Sequence, residues 1–295
     1  MLQSSDLEEL ARARRLLSKP GLAAKITHAI GVPLDRGIAL LPAEVKSAID
    51  ASANKAIASA AAAAFATMDT GALGAVASNR LHKFMAAGVG ALGGLFGLPA
   101  LVIELPLTTS IILRSIADIA RSEHANLHDP QTRVECLSVF ALGGPGSEDD
   151  AAESGYYAVR IALANSVSEV AQFIAARSGA EAGAPAVTNL VAKVSARFGP
   201  QVTQKIAAQA APILGAAGGA FVNRLFISHY QDTARGHFIV KRLEATYGQE
   251  AVQHAYALLE RPLTEVCALE HFADAPSPAP AMVGPSDNTE RPVDL

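Results

Sequence analysis

Apolar positions along this chain recur at three- and four-residue spacings, and nowhere do they settle into a strict alternation. Such a period puts one face of a helix against a core. From Asp6 to Leu17 the residues Leu7, Leu10, Ala11, Leu16 and Leu17 mark an amphipathic helix, acidic at its start and basic at its end as the helix dipole favours. Two short helical segments end at Pro20 and Pro33, joined through Gly21 and Gly31. A long one follows from Ala43 to about Thr70, through the run Ala60 to Ala64. The pattern predicts further helices over Ala75–Phe96, Leu107–Ser122, Gln131–Ala141, Asp150–Ser178, Ala186–Phe198 and Gln201–Leu214, then a long helix from about Ala216 to Tyr247 and shorter ones to about Phe272. No β-branched run bounded by turn residues is present, so the expected fold is all-α: a multi-helix bundle of Gly/Ala-rich packed apolar helices without a sheet.

Breaker residues divide this pattern. Gly143, Gly144, Pro145 and Gly146 form the best internal loop and the one candidate subdomain boundary. Residues 1–79 read as an N-terminal helical region that joins the helical core of residues 80–273 in one domain. Beyond Phe272, Pro276, Pro278, Pro280, Pro285 and Pro292 stand among polar residues, and residues 274–295 are expected to form a disordered tail.

Composition narrows the function classes. Half of the residues are hydrophobic, enough for a sizeable core, but aromatics are 5% with no Trp, so that core must close through Ala, Leu, Val and Ile. A net charge of -4 without a basic stripe argues against nucleic acid. Cys136 and Cys267 stand far apart with no C-x-x-C spacing, which suggests neither a disulfide framework nor a thiolate metal site and fits a reducing compartment. Met1 to Leu17 holds no apolar run of signal-peptide length.

The stretch Phe84–Ile103 is twenty residues without a charge, long enough as a helix to cross ~30 Å of hydrocarbon. Its five glycines and Pro99 weaken it as a simple span. Gly90 with Gly94, and Gly93 with Gly97, have the G-x-x-x-G spacing that lets helix backbones approach closely, in lipid or in a water-soluble bundle. Gly215, Ala216, Gly218, Gly219 and Phe221 repeat the order of Gly90, Ala91, Gly93, Gly94 and Phe96. Gly90, Gly94, Gly97, Gly215 and Gly219 are therefore the candidate residues for helix packing or membrane contact, against the simpler account of chance repetition in a low-complexity sequence.

Chemical motifs are sparse. Gly88, Gly90 and Gly93 spell G-x-G-x-x-G, but a dinucleotide site needs a preceding strand, and here the preceding segment is helical. The Gly143–Gly146 loop is followed by Ser147, Glu148, Asp149 and Asp150, which repel phosphate. Neither H-E-x-x-H nor G-x-S-x-G occurs. What stands out is polar residues in apolar helices. Arg114 and Asp118 lie four apart, and a guanidinium in so apolar a segment is expected to pair with Asp118 or with Glu153. Asn223, Arg224, His229, Asp232, His237, Arg242 and Glu244 share the long C-terminal helix. His229 and His237, eight residues apart, fall within ~80° of one face, too far apart along it to share a metal unaided. No metal site and no cofactor are expected.

These polar helices resemble the EcsC protein family of bacteria. The resemblance rests on Leu105-Pro-Leu-Thr-Thr109, Ile112 to Ala120 with Arg114 and Asp118, Cys136 to Gly144, and Glu153-Ser-Gly-Tyr-Tyr157 with Arg160. It continues through Pro212, Gly215, Gly218, Gly219, Asn223, Phe226, His229, Gln231, Gly236-His-Phe238, Arg242-Leu-Glu244 and Tyr247-Gly248, covering roughly residues 80–260. The resemblance implies an association with membranes and with the surroundings of ABC transport systems, and no assigned reaction.

Three readings follow. The leading one is a cytoplasmic protein, peripheral to or partly inserted in the cytoplasmic membrane, that binds lipid or a membrane protein, with Arg114, Arg160 and Asn223 as candidate ligand- or lipid-binding residues. An alternative is a hydrolase-like enzyme, with or without a metal ion, in which Glu104, Asp118, Glu153, His229 and His237, the candidate catalytic residues, converge on one pocket together with Arg160. The third is a soluble helical scaffold whose Ala/Gly content serves tight packing alone.

Overall fold

The computed structural model describes residues 2–18, 21–30, 34–39, 41–67, 77–96, 101–142, 152–176, 184–209 and 215–259. They form α1 (Ser4–Leu17), α2 (Leu22–Ile30), α3 (Leu34–Ala39), α4 (Ala43–Thr67), α5 (Asn79–Phe96), α6 (Leu101–Ser122), α7 (Pro130–Leu142), α8 (Ala152–Ala176), α9 (Pro185–Gln209), α10 (Gly215–Tyr247) and α11 (Gln249–Leu258). Among the described residues there is no strand, as the periodicity requires. The breaker cluster 143–146, the tail and the part beyond 259 of the short helices expected after Tyr247 lie outside them.

Helix α3 was not expected, and two others differ from expectation, both at a proline. Residues 186–198 and 201–214 were expected as separate helices, yet α9 runs unbroken through Pro200. Leu190, Val194, Phe198, Val202 and Ile206 keep one buried face on both sides of the proline. Burial along that face outweighs the ~3 kcal/mol that an interior proline costs. Likewise α6 starts six residues before the expected Leu107 and carries Pro106 inside it.

The core is organised around α7, whose Val134, Cys136, Leu137, Val139, Phe140 and Ala141 are all buried, so this helix has almost no solvent face. Around it Phe140, Phe198, Phe226 and Tyr230 stack edge-on or tilted, with ring centroids 5.2–6.0 Å apart. The Tyr230 hydroxyl donates to Gln201 Oε1. A smaller cluster joins Leu10 and Ala13 of α1, Tyr156 and Tyr157 of α8, Ile239, Val240 and Leu243 of α10, and Val252 and Tyr256 of α11. Helix α10, 33 residues and thus about 50 Å long, passes through both clusters.

At its start α10 packs beside α5 and α6. Asn223 Nδ2 donates to the Ala86 carbonyl at 2.8 Å and Gln231 Nε2 to the Asn79 carbonyl at 3.2 Å, which fixes α5 and α10 antiparallel. One turn further along this register, Gly219, which is buried, comes level with Gly90. At its far end α10 receives α1. Gly236 sits so close that a Cβ there would stand 2.7 Å from Leu17 Cγ and 2.9 Å from the Ala13 carbonyl oxygen. Glu9 pairs with Arg242, and the Tyr247 hydroxyl donates to Asp6.

Candidate functional site

The polar residues singled out from the sequence occupy separate places. Glu104 on α6 accepts from Lys205 Nζ of α9 at 2.6 Å, both side chains fully or nearly fully buried. Asp118 on α6 takes His82 Nε2 of α5 at 2.9 Å and Arg121 at 3.0 Å. His229 lies 3.4 Å from Lys25 Nζ of α2, which also approaches Asp232. His237 faces α8 instead. The candidate catalytic residues are thus spread over four helix contacts, and the expected single pocket is not formed by them. The side chain of Glu153 lies outside the described residues. Among the described residues no group of three or more His, Cys, Asp or Glu could hold a metal ion.

The expected pairing of Arg114 is corrected as well. Arg114 is exposed, and Asp118, one turn away, is turned to His82 and Arg121. Spacing of four along one helix made the pair possible, but partners on α5 and in the next turn won the carboxylate. Asn223 is wholly buried, a structural donor to the Ala86 carbonyl and, at 3.4 Å, to Thr108 Oγ1. Of the glycines, Gly219 is buried; Gly90 and Gly94 lie on α5 and Gly215 opens α10, while Gly97 falls outside the described residues.

His237 and Arg160 do meet, beside a cleft of about 230 Å³ between α7, α8, α10 and α11. Tyr156, Tyr157 and Arg160 fall on successive turns of one α8 face, and Arg160 reaches over to α10, where Nη1 and Nη2 each donate to a Glu244 oxygen at 2.7 Å. Burial weighs against the guanidinium charge, but this two-pronged bond more than offsets it and raises the Arg160 pKa. Arg160 Nη1 also stands 3.4 Å from the Tyr156 hydroxyl, which lies 2.9 Å from His237 Nδ1. The Tyr156 oxygen accepts from the guanidinium, and the assignment that leaves no buried Tyr156 hydrogen stranded has the hydroxyl donate to a neutral Nδ1. Burial, aided by the charges of Arg160 and Lys241, holds the His237 pKa well below its ordinary value and the ring neutral. The remaining proton therefore sits on Nε2. Neither His237 Nε2 nor the Tyr157 hydroxyl has a hydrogen-bond partner, although both are buried. Burial also raises the Tyr157 pKa, keeping its hydroxyl a donor. One turn from His237 along α10, Lys241 Nζ pairs with Glu135 Oε1 of α7 at 2.9 Å, and Gln131 Nε2 approaches the same oxygen at 3.2 Å.

Sequence reasoning singled out His237, Arg160 and Glu244, met Tyr156 and Tyr157 only within the family resemblance, and gave no role to Glu135 or Lys241. The available signal was the spacing of four between Tyr156 and Arg160. Nothing local pointed to Lys205, a lone cation between Val202 and Ile206 on an apolar face.

On the outside, Leu81, Phe84, Met85 and Gly88 of α5 are all exposed, Phe84 to 79%, and they follow the i, i+3, i+4, i+7 rule. The apolar stripe of α5 thus faces out. Exposed Arg80 lies on the same helix, which carries Lys83 and no acidic residue. The His82–Asp118 and Asn223–Ala86 bonds bring exposed Arg114 of α6 and exposed Arg224 of α10 level with Met85 and Ala86.

Among the described residues no helix is long and apolar enough to cross a membrane, and the uncharged stretch Phe84–Ile103 is divided between α5 and α6. Comparison with curated proteins and with solved structures finds no match. The model of the EcsC protein family matches residues 4–243, which extends the likeness through the N-terminal helices where no resemblance was expected. The chain belongs to the EcsC protein family.

Proposed function

We propose that this protein is a membrane-associated helical protein of the cytoplasmic side that binds an anionic lipid surface through the outward face of α5, with no reaction required. One observation carries the reading: an apolar stripe, Leu81, Phe84, Met85 and Gly88, is turned to solvent on a helix free of acidic residues, with exposed Arg80 on the same helix and exposed Arg114 and Arg224 level with it on α6 and α10. A helix that buried its stripe inward would leave polar residues outside. Here the inward side of α5 is filled by Ala86 and His82 with Val89 beside them, while Leu81, Phe84 and Met85 point away from the core. An apolar face rimmed by Arg and Lys is the composition that settles into the headgroup region of a bilayer. Arg114, exposed and unpaired with Asp118, suits such a surface, as the leading sequence reading expected of it.

The test is sedimentation of the full-length protein with vesicles of phosphatidylcholine alone and of phosphatidylcholine mixed with phosphatidylglycerol. Binding is expected to the anionic vesicles and to weaken with salt. Each of Arg114→Gln and Arg224→Gln should reduce it about fivefold, near 1 kcal/mol per surface cation, and Phe84→Glu should abolish it with thermal unfolding unchanged. Equal binding to neutral and anionic vesicles, or an Arg114→Gln/Arg224→Gln double variant that binds like the parent, would overturn the reading.

A further inference from the structure

We infer that the cleft between α7, α8, α10 and α11 is a binding site for a small oxyanion, a carboxylate or a phosphate monoester carrying a short apolar group, held by His237 Nε2–H, the Tyr157 hydroxyl and Lys241.

The argument is a count of donors and acceptors on the cleft wall. The acid that lines it, Glu135, already takes Lys241 and Gln131, and Glu244, behind Arg160, takes both of that guanidinium's nitrogens. The cleft's buried unspent groups are His237 Nε2 and the Tyr157 hydroxyl, both read as donors. His237, 2% exposed, has its Nδ1 fixed by Tyr156, so the partnerless Nε2 carries hydrogen. Tyr157, 7% exposed, ends in a partnerless hydroxyl. Lys241 is bound to Glu135 and keeps donors to spare, with a third of its side chain open to solvent. Buried donors without partners are uncommon and costly, and a set of them on one cleft fits a ligand rich in acceptors. Arg160, locked to Glu244, supplies positive potential without being consumed.

Size and lining restrict the ligand further. At about 230 Å³ the cleft is smaller than the ~300–1,000 Å³ of sites for drug-sized molecules, which limits the occupant to a few heavy atoms. Leu142, Leu163, Val167 and the largely exposed Ile161 line the same cleft and offer an apolar side for a short alkyl group. Such a ligand can be a free metabolite or the head of a lipid, since both present the same oxygens. The inference stands on the cleft alone and does not need the membrane reading.

The experiment is calorimetric titration of the full-length protein with butyl phosphate, butyrate and butylamine, alongside nitrogen-15 spectra of the histidine side chains. The two anions are expected to bind and the amine not. Binding should shift the His237 Nε2 signal and leave that of His229 in place. His237→Gln should weaken butyl phosphate at least about tenfold, the loss of one hydrogen bond to a charged group, and Tyr157→Phe by a smaller factor. His28→Gln, on exposed α2 surface, should bind like the parent. Absence of binding by both anions, equal binding of butylamine, or unchanged affinity in a folded His237→Gln/Tyr157→Phe double variant would overturn the inference. The source is read separately: if vesicles containing phosphatidate displace butyl phosphate, the ligand is a headgroup, and if they do not, it is a free small molecule.

Discussion

Glu104 and Lys205 form the most deeply buried ion pair among the described residues, 2.6 Å apart and out of water. Burial lowers the Lys205 pKa and the Glu104 charge counteracts that shift, so Lys205 depends on Glu104 to stay charged. Replacing one partner alone, as in Glu104→Leu, should cost ~3–5 kcal/mol in chemical unfolding, whereas Glu104→Leu/Lys205→Met should recover most of it. Additive losses would show that the charges do not act as a pair. His237 is the second residue with a calculable consequence. In the unfolded chain an imidazole takes a proton near pH 6.5, while in the fold burial holds it well below that value. The unfolded state then binds more protons below about pH 6.5, so stability is complete above that pH and falls as the medium is acidified, by up to about 1.4 kcal/mol per unit. His237→Gln, which cannot titrate, should flatten that acid limb, and an unchanged limb would place the acid sensitivity elsewhere. The sequence marked most of these side chains as buried polar residues but not their partners. Spacing along a helix brought Arg114 and Asp118 together on paper, while His82, 36 positions earlier, took the carboxylate in the fold. Partner choice is a tertiary fact, and only the four-residue step from Tyr156 to Arg160 announced itself locally.

Helices, by contrast, were largely legible, because period and breaker residues are local. The exceptions, Pro106 and Pro200, show where a continuous buried face overrides a local rule. The inverted α5 was not legible: apolar periodicity shows that a helix has a stripe, not whether the stripe looks inward. At the contact of α1 with α10 the controlling residue is Gly236. A methyl group there would meet a carbonyl oxygen at 2.9 Å as well as the movable Leu17 side chain. Gly236→Ala should therefore push α1 outward, lower stability by ~1–3 kcal/mol and speed hydrogen exchange along Ser4–Leu17. Adding Leu17→Ala should restore only part of this, because the Ala13 carbonyl remains. An Ala variant with parental unfolding and parental exchange in α1 would mean that the backbone absorbs the methyl at no cost.

For the whole molecule, the expected behaviour in cells follows from charge and from the outward stripe together. The protein should sediment with membranes at low ionic strength and be released by high salt or carbonate, because no described helix crosses a bilayer and the proposed contact is electrostatic at its edges. Release by detergent alone would indicate deeper insertion, and a protein that stays in the supernatant at low salt would favour the scaffold reading. One further consequence comes from α10. Arg224 and His237 are thirteen residues apart on this one helix, which sets them about 20 Å apart along its axis and about 140° apart around it. A bilayer at the first position and a small ligand at the second would approach from nearly opposite sides. The two can be occupied at the same time without steric competition, and a solute in the cleft of the membrane-bound protein stays in exchange with the surrounding water.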